Sequence, residues 1–372
     1  MARRANGEGS VYQRKDGRWA ASISLGRTKR KHFLGKTRGE VAAKLTEALA
    51  DQQKGTPIVT SNQNLEQYLE SWLKSVKSSV RLRTYESYDL NARRLKPLIG
   101  KRRLNQLTPA AVERAYADLA EAGLSSRSIV QAHTVLHNAL KKAVQWGLVG
   151  RNPTEAVDVP RPQRSEMQTL SEVEVQALFA ATRDHDLHAL WVLLASTGLR
   201  LGEALGLKWE DVDFENCRLI VRRALQRQKE RGLVLVEPKT SRSRRTVYFP
   251  AGTGAALKEH KRKQAETKLQ LGSAWENNGV VFCRQDGRLH DTGTISHRLH
   301  RALKDAGLPQ IRVHDLRHTA ATLLLSKGEN PKIVQELLGH STIAVTMDIY
   351  SHVTPAMHAS AAARMQSLFA AV

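Results

Sequence analysis

Residues 311–350, whose sequence is IRVHDLRHTAATLLLSKGENPKIVQELLGHSTIAVTMDIY, contain several side chains that could do chemistry: among them are the imidazoles of His314 and His340, the guanidinium of Arg317 and the phenol of Tyr350. A helix that opens near His314 places Arg317 three residues later, on the same edge of an otherwise apolar segment. His340 and Tyr350 follow within the same stretch, which contains few carboxylates. Such a group of side chains suits an anion, and a tyrosine beside a bound anion is a candidate nucleophile.

Helix stop and start signals divide this stretch. Asn330 and Pro331 are typical of the N-cap and first residue of a short second helix, which Gly339 closes. Ser341 is positioned to cap a third helix that delivers Tyr350. His340 is therefore expected just past the end of the second helix, before the third helix begins.

The order of these residues, H-x-x-R followed by L-G-H and then Tyr, resembles the tyrosine recombinases, the phage integrase family. That resemblance directs attention upstream, where TGLRLGE contains Arg200 and Glu203. The segment PKTSRSRRTVYF contains Lys239 at a predicted hairpin tip. Six residues then match the catalytic set of the family in order: Arg200, Lys239, His314, Arg317, His340 and Tyr350.

The resemblance implies that the phenol attacks a DNA phosphate. Arg200 and Arg317 would each grip its non-bridging oxygens, and Glu203 would orient Arg200. A cation at ~4 Å, with an effective dielectric constant near 20, is worth about 4 kcal/mol, or about three powers of ten in rate. Two guanidiniums can therefore do the work of a divalent metal ion, so no metal and no other cofactor is expected.

The proton transfers are implied by the same resemblance. A tyrosine has a solution pKa of about 10, so Tyr350 needs help to lose its proton. His314 would accept or position that proton, His340 would donate a hydrogen bond to the phosphate, and Lys239 would protonate the leaving 5′ oxygen. The product is a 3′-phosphotyrosine link with a free 5′-hydroxyl. Because the ester energy is retained, a foreign 5′-hydroxyl can reverse the step, and strands are exchanged without ATP.

Each candidate also has a structural alternative. Arg200 and Arg317 are equally the residue type of structural ion pairs. Lys239 lies among several arginines and has the alternative of an ordinary surface charge. Tyr350 on its own is typical of a core tyrosine. His318, four residues after His314, matches no catalytic position and is interpreted as structural.

Three other functions compete with recombination. His314 and His318 have the i, i+4 spacing of a zinc hydrolase, but Arg317 between them opposes a metal cation. A catalytically silent DNA-binding regulator is a second alternative, although every catalytic position is filled. A type IB topoisomerase is a third, since it shares the phosphotyrosine chemistry. The strongly basic N-terminal segment favours site-specific integration over relaxation.

The charge balance points to a polyanionic partner. Across 372 residues, 58 Lys and Arg outnumber 36 Asp and Glu, for a net charge of +22. Double-stranded DNA is the expected partner, with a solubility device or an anionic membrane surface as alternatives. No run approaches the ~18 apolar residues of a membrane span, and no signal peptide is recognised. Two cysteines without a CxxC motif favour a reducing cytoplasm. The resemblance implies that the protein associates with the nucleoid of a prokaryotic host.

Residues 1–55 are predicted to form an N-terminal DNA-binding domain. The alternation around Trp19 and Ile23, with flanking runs near residues 10–13 and 31–34, predicts a three-stranded sheet, and Thr37 with Glu40 predicts a capping box for the helix that follows. This pattern is similar to the arm-site-binding domains of phage and transposon integrases; a solvated basic face is the alternative. The candidate DNA contacts are Arg18, Arg27, Lys29, Arg30 and Lys31.

Residues 62–150 are predicted to form a bundle of four amphipathic helices, which the resemblance identifies as the core-binding domain. Tyr85 and Tyr88 are interpreted as core residues. Nine Lys and Arg against two acids between residues 77 and 103 predict a phosphate-binding face. Its candidate contacts are Arg81, Arg83, Arg93, Arg94, Arg102 and Arg103.

Residues 165–372 are predicted to form the catalytic domain, after a proline-containing strap. Ser171 and Glu174 predict a capping box for its first helix, and short strands are expected near residues 218–222, 233–237 and 246–249. An Ala-rich tail helix from about residue 355 is expected to dock in its own chain or on a neighbour. The fold class is therefore mainly α with small β-sheets, a multidomain α+β protein.

The resemblance also implies partners. The expected assembly is a homo-tetramer on two synapsed DNA duplexes carrying attachment sites, and a monomer when free. A directionality factor and a host DNA-bending protein are further partners that the resemblance allows.

Overall fold

The structure is a computed structural model that describes residues 9–24, 30–53, 63–162, 167–237, 244–339, 342–350 and 366. These residues form two compact units, one within residues 1–164 and the other within residues 165–372. The fold is mostly helical with small antiparallel sheets, as the sequence predicts.

The N-terminal sheet has the predicted three strands. Strands β1 (Ser10–Gln13), β2 (Trp19–Ser24) and β3 (Arg30–Gly35) pair antiparallel in the order β1-β2-β3. Helix α1 (Arg38–Gln53) packs against β2, and Ile23 of the sheet is buried with Val41 and Leu45 of the helix.

Thr37 and Glu40 interact at the start of α1, as the capping box predicts. The Thr37 hydroxyl accepts a hydrogen bond from the Glu40 backbone N–H, and the Thr37 backbone N–H in turn acts on the Glu40 carboxylate and helps to lower its pKa. The same carboxylate also accepts from the backbone N–H of Lys36 and pairs with Lys44 one turn later.

Four helices follow at the predicted positions: α2 (Leu65–Val76), α3 (Leu82–Ile99), α4 (Pro109–Glu121) and α5 (Ser126–Gln145). Three have side-chain N-caps, provided by Asn64, Thr108 and Ser125. One apolar stripe from each helix contributes to a shared core. Tyr85 and Tyr88 pack against that core, and Tyr88 stacks on Trp72 at 5.2 Å between ring centroids.

The second unit opens with three helices: α6 (Glu172–Ala181), α7 (His188–Thr197) and α8 (Leu201–Leu205). Ser171 and Glu174 close the predicted capping box on α6. Helix α7 is almost entirely buried and ends at Gly198, whose φ of 64° gives the left-handed turn into α8. That turn brings Arg200 to the start of α8.

Five short strands form two sheets: β4 (Val212–Asp213), β5 (Arg218–Val221), β6 (Ala224–Gln228), β7 (Gly232–Val236) and β8 (Arg245–Tyr248). The three predicted strands are β5, β7 and β8, whereas β4 and β6 were missed. Strand β6 was missed because its sequence, ALQRQ, is mostly polar and shows no apolar alternation. In the structure only Leu225 of its five residues is buried.

The predicted hairpin tip at Lys239 lies outside the described residues. The strands on either side of it do not pair with each other: β7 pairs with β6, and β8 pairs with β5 in a different sheet. Adjacency along the chain suggested pairing, but the unrecognised β6 is the neighbour of β7.

Five helices complete the described fold: α9 (Ala251–Leu271), α10 (Thr292–Asp305), α11 (Val313–Ser326), α12 (Pro331–Leu338) and α13 (Ile343–Tyr350). Asn330 caps α12, Pro331 is its first residue and Gly339 closes it with φ 66°, all as predicted. The third predicted helix is α13; its expected cap, Ser341, lies outside the described residues.

The core of this unit gathers residues from α6 to α8, from both sheets and from α9 to α11. The predicted tail helix from residue 355 lies outside the described residues, apart from helical Gln366. None of the helices in the described ranges combines the length and apolar composition that a membrane span requires.

Candidate active site

Arg200 is held at the entrance to α8 by its own helix. Its backbone N–H donates to Oε2 of Glu203 at 3.0 Å, and its Nη1 donates to Oε1 at 3.0 Å. Its Nη2 donates to the carbonyl of Gly339, the residue that ends α12, at 3.2 Å. With 42% of the side chain still exposed, Arg200 is oriented on one side and open to a ligand on the other.

Arg317 is the buried member of the pair. It is 2% exposed, and its Nη1 donates to the carbonyl of Gly198 at 2.7 Å. Its Nη2 has no hydrogen-bond partner among the described residues. Desolvation, with the nearby charge of Arg200, lowers the pKa of Arg317 to about 9, so the group stays positive at neutral pH. A buried cationic donor without a partner is expensive unless a ligand satisfies it.

The two candidate arginines are therefore anchored by glycines that end helices. Gly198, after α7, receives Arg317, and Gly339, after α12, receives Arg200. Both glycines have positive φ, which side-chain-bearing residues rarely adopt. A Cβ at Gly198 would overlap the side chain of Leu338. The left-handed turns thus direct carbonyls at the guanidiniums while letting the helices approach closely.

Glu203 is the buried carboxylate of the site, 8% exposed. Burial alone would raise its pKa, but the hydrogen bonds and charge of Arg245, with those of Arg200, hold the pKa below its usual value. The carboxylate therefore stays ionised and holds one side of the Arg200 guanidinium. Arg200 and Arg245 both pair with it, and its charge also acts on Arg317.

Arg245 was missed as a site residue. From β8 it makes a bidentate pair with Glu203, with Nη1 to Oε1 at 3.2 Å and Nη2 to Oε2 at 2.9 Å. Its Nε donates to the carbonyl of Leu337 at 3.1 Å. A signal was available in the sequence: strand alternation puts Arg245 on the same side as buried Val247. An inward-facing arginine requires a partner.

His314 lies in the first turn of α11, close to the guanidinium pair. Its ring makes an edge contact with that of His318, with centroids 5.0 Å apart. Desolvation, followed by the nearby His318 and Arg317, lowers the pKa of His314 to about 4. The residue is exposed, and at neutral pH its imidazole is uncharged, so a ring nitrogen can accept a hydrogen bond from a ligand.

Asp315 fixes the start of α11. It is 3% exposed, and its two oxygens accept from the backbone and side chain of Arg312. This pairing opens the helix at the residue before His314 and leaves the imidazole free of a carboxylate partner of its own among the described residues. The first turn of α11 thus sets the position from which His314 reaches the site.

The structure accordingly brings four predicted residues together: Arg200, Glu203, His314 and Arg317. Tyr350 is the last residue of α13, which packs against α11 and α12. Lys239 and His340 lie outside the described residues. Within the described ranges, no three His, Cys, Asp or Glu side chains cluster as a metal-ion site would require.

The candidate DNA contacts of the helical bundle are mostly at its surface. Arg81, Arg83, Arg93, Arg102 and Arg103 are exposed. Arg94 is half-buried and donates to the Asn91 side chain, and Arg93 also pairs with Asp89. In the N-terminal sheet, Arg18 and Arg30 are exposed, whereas Arg27, Lys29 and the Lys31 side chain are not among the described groups.

Comparison with known proteins identifies the class. Residues 168–357 match the model of the phage integrase family, and residues 64–120 match that of the phage integrase N-terminal SAM-like domain. A tyrosine recombinase XerC-like protein of Caldanaerobacter subterraneus is 32% identical over 94% of this chain and 96% of its own. An integrase of Streptomyces ambofaciens is 30% identical over 94% of this chain and 93% of its own. The chain belongs to the phage integrase family, the tyrosine recombinases that cleave and rejoin DNA strands.

Solved structures agree on the fold. The Tn1549 transposon integrase, in complex with transposon right-end DNA, superposes with a TM-score of 0.71 at 24% identity, covering 82% of this chain and 99% of that one. A lambda integrase tetramer bound to a Holliday junction gives a TM-score of 0.57 at 19% identity, covering 93% and 96%. The resemblance drawn from H-x-x-R, L-G-H and Tyr, and the fold class, are confirmed.

Proposed function

We propose that this protein is the integrase of a mobile element, a site-specific recombinase that breaks DNA by attack of Tyr350 on a phosphate. The observation that carries the proposal is the guanidinium pair, Arg200 open to solvent and Arg317 buried with an unpartnered Nη2. In the described part of the chain Glu203 is the buried carboxylate that pairs with Arg200, since buried Asp315 pairs with Arg312 instead. An anion with several acceptor oxygens, such as a phosphodiester, suits it.

In the proposed reaction the phenol oxygen of Tyr350 forms a bond to phosphorus while the bond to the 5′ oxygen breaks. Arg200 and Arg317 bind the non-bridging oxygens and stabilise the charge that develops on them. Both are preorganised, since glycine carbonyls and Glu203 already fix their guanidinium planes. The chain retains a 3′-phosphotyrosine, and rejoining reverses the step without ATP or a metal ion.

We propose that His314 positions the phenol and accepts its proton. With a pKa of about 4 in the free protein its imidazole is neutral at physiological pH, so a ring nitrogen is available to hold the phenol hydroxyl in line. The negative charge of a bound phosphate would raise the basicity of the imidazole for the proton transfer itself. We propose Lys239 as the acid that protonates the leaving 5′ oxygen and His340 as a hydrogen-bond donor to the phosphate. The position of α13 on α11 and α12 supports delivery of Tyr350 to the same place.

We further propose three domains: 1–55 binding arm-type DNA sites, 62–150 binding core sites, and 165–372 carrying catalysis. Separate buried clusters in the N-terminal sheet with α1 and in the helical bundle support the first two. The net charge of +22 and the exposed arginines support double-stranded DNA carrying attachment sites as the partner. The lambda integrase tetramer on a Holliday junction supports a tetramer on synapsed DNA.

The free protein is proposed to be a monomer in the cytoplasm of a prokaryotic host, where it associates with the nucleoid. A directionality factor and a host DNA-bending protein complete the proposed set of partners. Sedimentation of the free protein tests the first point: a stable tetramer without DNA contradicts it.

Covalent trapping tests the reaction. Sequencing the junctions between the element and host DNA provides the attachment sites, and a nicked duplex of that sequence traps the cleaved state because the short fragment diffuses away. The wild type is expected to form a protein–DNA adduct, and Tyr350→Phe to bind the duplex without forming one. Binding without an adduct in the wild type indicates the silent regulator instead. Relaxation of supercoiled plasmids of any sequence indicates the topoisomerase.

A further inference from the structure

Arg245 joins the two ends of the candidate site through one side chain. Its side chain is 9% exposed, and the guanidinium reaches from β8 to the Glu203 carboxylate and to the carbonyl of Leu337 in the last turn of α12. Neither the sequence motifs nor the family resemblance assigned it a role. Its neighbour Arg244 is exposed and pairs with Glu237, which is also exposed.

We propose that Arg245 is a positioning residue for strand cleavage, holding both the Arg200 guanidinium and the end of α12 that leads into His340. This inference rests on the proposed function, because it concerns the same phosphate site. Arg245 itself does not touch the DNA. It acts through Glu203 on one side and through the α12 terminus on the other.

The first effect concerns the charge on Arg200. Glu203 accepts four hydrogen bonds, two from Arg200 and two from Arg245. With two guanidiniums on one carboxylate, Arg200 shares its counter-ion and keeps positive charge for a phosphate. Without Arg245, the carboxylate would pair with Arg200 alone and would retain acceptors unfilled in a buried place. Arg200 would then bind the developing charge less strongly.

The second effect concerns the end of α12. Carbonyls at a helix C-terminus carry partial negative charge and lack intrahelical donors. Arg245 donates to the carbonyl of Leu337, and Arg200 donates to that of Gly339. The two arginines thus cap one helix end while sharing Glu203. Removal of Arg245 frees the carbonyl of Leu337, which lies three residues before His340 in the sequence.

The test compares Arg245→Gln with Arg244→Gln in the full-length protein on the nicked attachment-site duplex. Adduct formation is timed at saturating enzyme, and the dissociation constant for DNA is measured separately. We expect Arg245→Gln to slow adduct formation about 10- to 100-fold, the range for residues that orient functional groups, with DNA affinity changed by less than about threefold. Arg244→Gln should react at the wild-type rate.

Two further measurements separate positioning from a general failure to fold. A duplex with a neutral methylphosphonate at the scissile position lacks the phosphate charge that Arg200 is proposed to stabilise. The reduction in the rate of adduct formation caused by Arg245→Gln should therefore be smaller on this duplex than on the natural one. In a double-mutant cycle, Glu203→Gln and Arg245→Gln should be non-additive, because both act on one network. Arg245→Lys, which keeps the charge with fewer donors, should recover part of the rate, and it serves as the test variant if Arg245→Gln does not fold.

The outcomes discriminate clearly. Equal rates for the Arg245 and Arg244 variants overturn the inference, as does a defect of Arg245→Gln or Arg245→Lys that is the same on charged and neutral substrates. A wild type that forms no adduct overturns the proposed function and this inference with it. A reactive wild type with an unimpaired Arg245 variant overturns this inference alone.

Discussion

Arg317 donates a 2.7 Å hydrogen bond to the carbonyl of Gly198, which lies 119 positions earlier in the chain. The bond uses only Nη1, and Nη2 of the same buried group has no partner among the described residues. One half of the guanidinium is therefore fixed, and the other half is kept available. A phosphate oxygen placed there would satisfy the remaining donor.

Replacing Arg317 by lysine should impair cleavage far more than DNA binding. A single ammonium cannot both donate to Gly198 and reach a phosphate oxygen with the geometry of a planar fork. We expect adduct formation to fall by about two to three powers of ten, as for removal of one oxyanion donor. Single-turnover assays at saturating DNA check this. A rate within about tenfold of wild type would show that Arg317 does not stabilise the reacting phosphate.

Gly198→Ala should destabilise the protein and slow strand cleavage. The position has φ 64°, and the added Cβ would overlap Leu338. We expect a decrease in the free energy of unfolding of about 1–3 kcal/mol, seen as a lower melting temperature by circular dichroism. Gly252→Ala is the matched control: it lies in the first turn of α9 with nothing near its Cβ, so it should be neutral or slightly stabilising. Equal melting temperatures for the two variants would contradict the claim that a side chain at position 198 strains the turn.

His314 should titrate well below an ordinary histidine. Its pKa is lowered to about 4, so in the free protein the imidazole is neutral above about pH 5 and gains its proton only as the pH falls through its pKa. Carbon-13 labelling of histidine followed by NMR titration measures this directly, with the signal assigned through its disappearance in His314→Gln. A midpoint near 6.5 would be incompatible with a desolvated proton acceptor.

The exposed arginines of the helical bundle should contribute to DNA affinity without affecting chemistry. Replacing Arg83 or Arg102 by glutamine should weaken binding across sequences and reduce the slope of log K against log salt by about one for each phosphate that is no longer neutralised. Adduct formation at saturating DNA should be unchanged. Arg301→Gln, an 86% exposed arginine on α10, is the control and should leave the salt slope unaltered. If neither bundle variant changed the salt slope, these arginines would not contact DNA, and the DNA-binding face would have to lie elsewhere.

Local signals in the sequence predicted most of the helices. Cap residues, such as Ser171 with Glu174 and Asn330 before Pro331, act within one turn, so their effect can be predicted without knowledge of the fold. The strand pairing could not be predicted in the same way. Pairing is a non-local choice, and the polar strand β6 offered no alternation to reveal it as the partner of β7.

The candidate site divides along the same line. The order of residues in the C-terminal stretch selected His314 and Arg317, and the family resemblance drawn from it selected Arg200 and Glu203; the structure brings these four together. The supports of that cluster are backbone carbonyls and Arg245, and they depend on how distant elements pack. Carbonyl groups are present at every residue, so no sequence pattern marks the glycines that end α7 and α12 as acceptors. The catalytic roles, and the contributions of Lys239, His340 and Tyr350, stay predictions.

The most direct measurement is the chemical mapping of the covalent link. The adduct from a nicked attachment-site duplex is digested with nuclease and protease, and mass spectrometry locates the modified residue. A phosphate on Tyr350 is predicted, together with a released 5′-hydroxyl that polynucleotide kinase labels without prior dephosphorylation. A link to any other residue of the chain, or a 5′-phosphotyrosine with a free 3′-hydroxyl, would contradict the account.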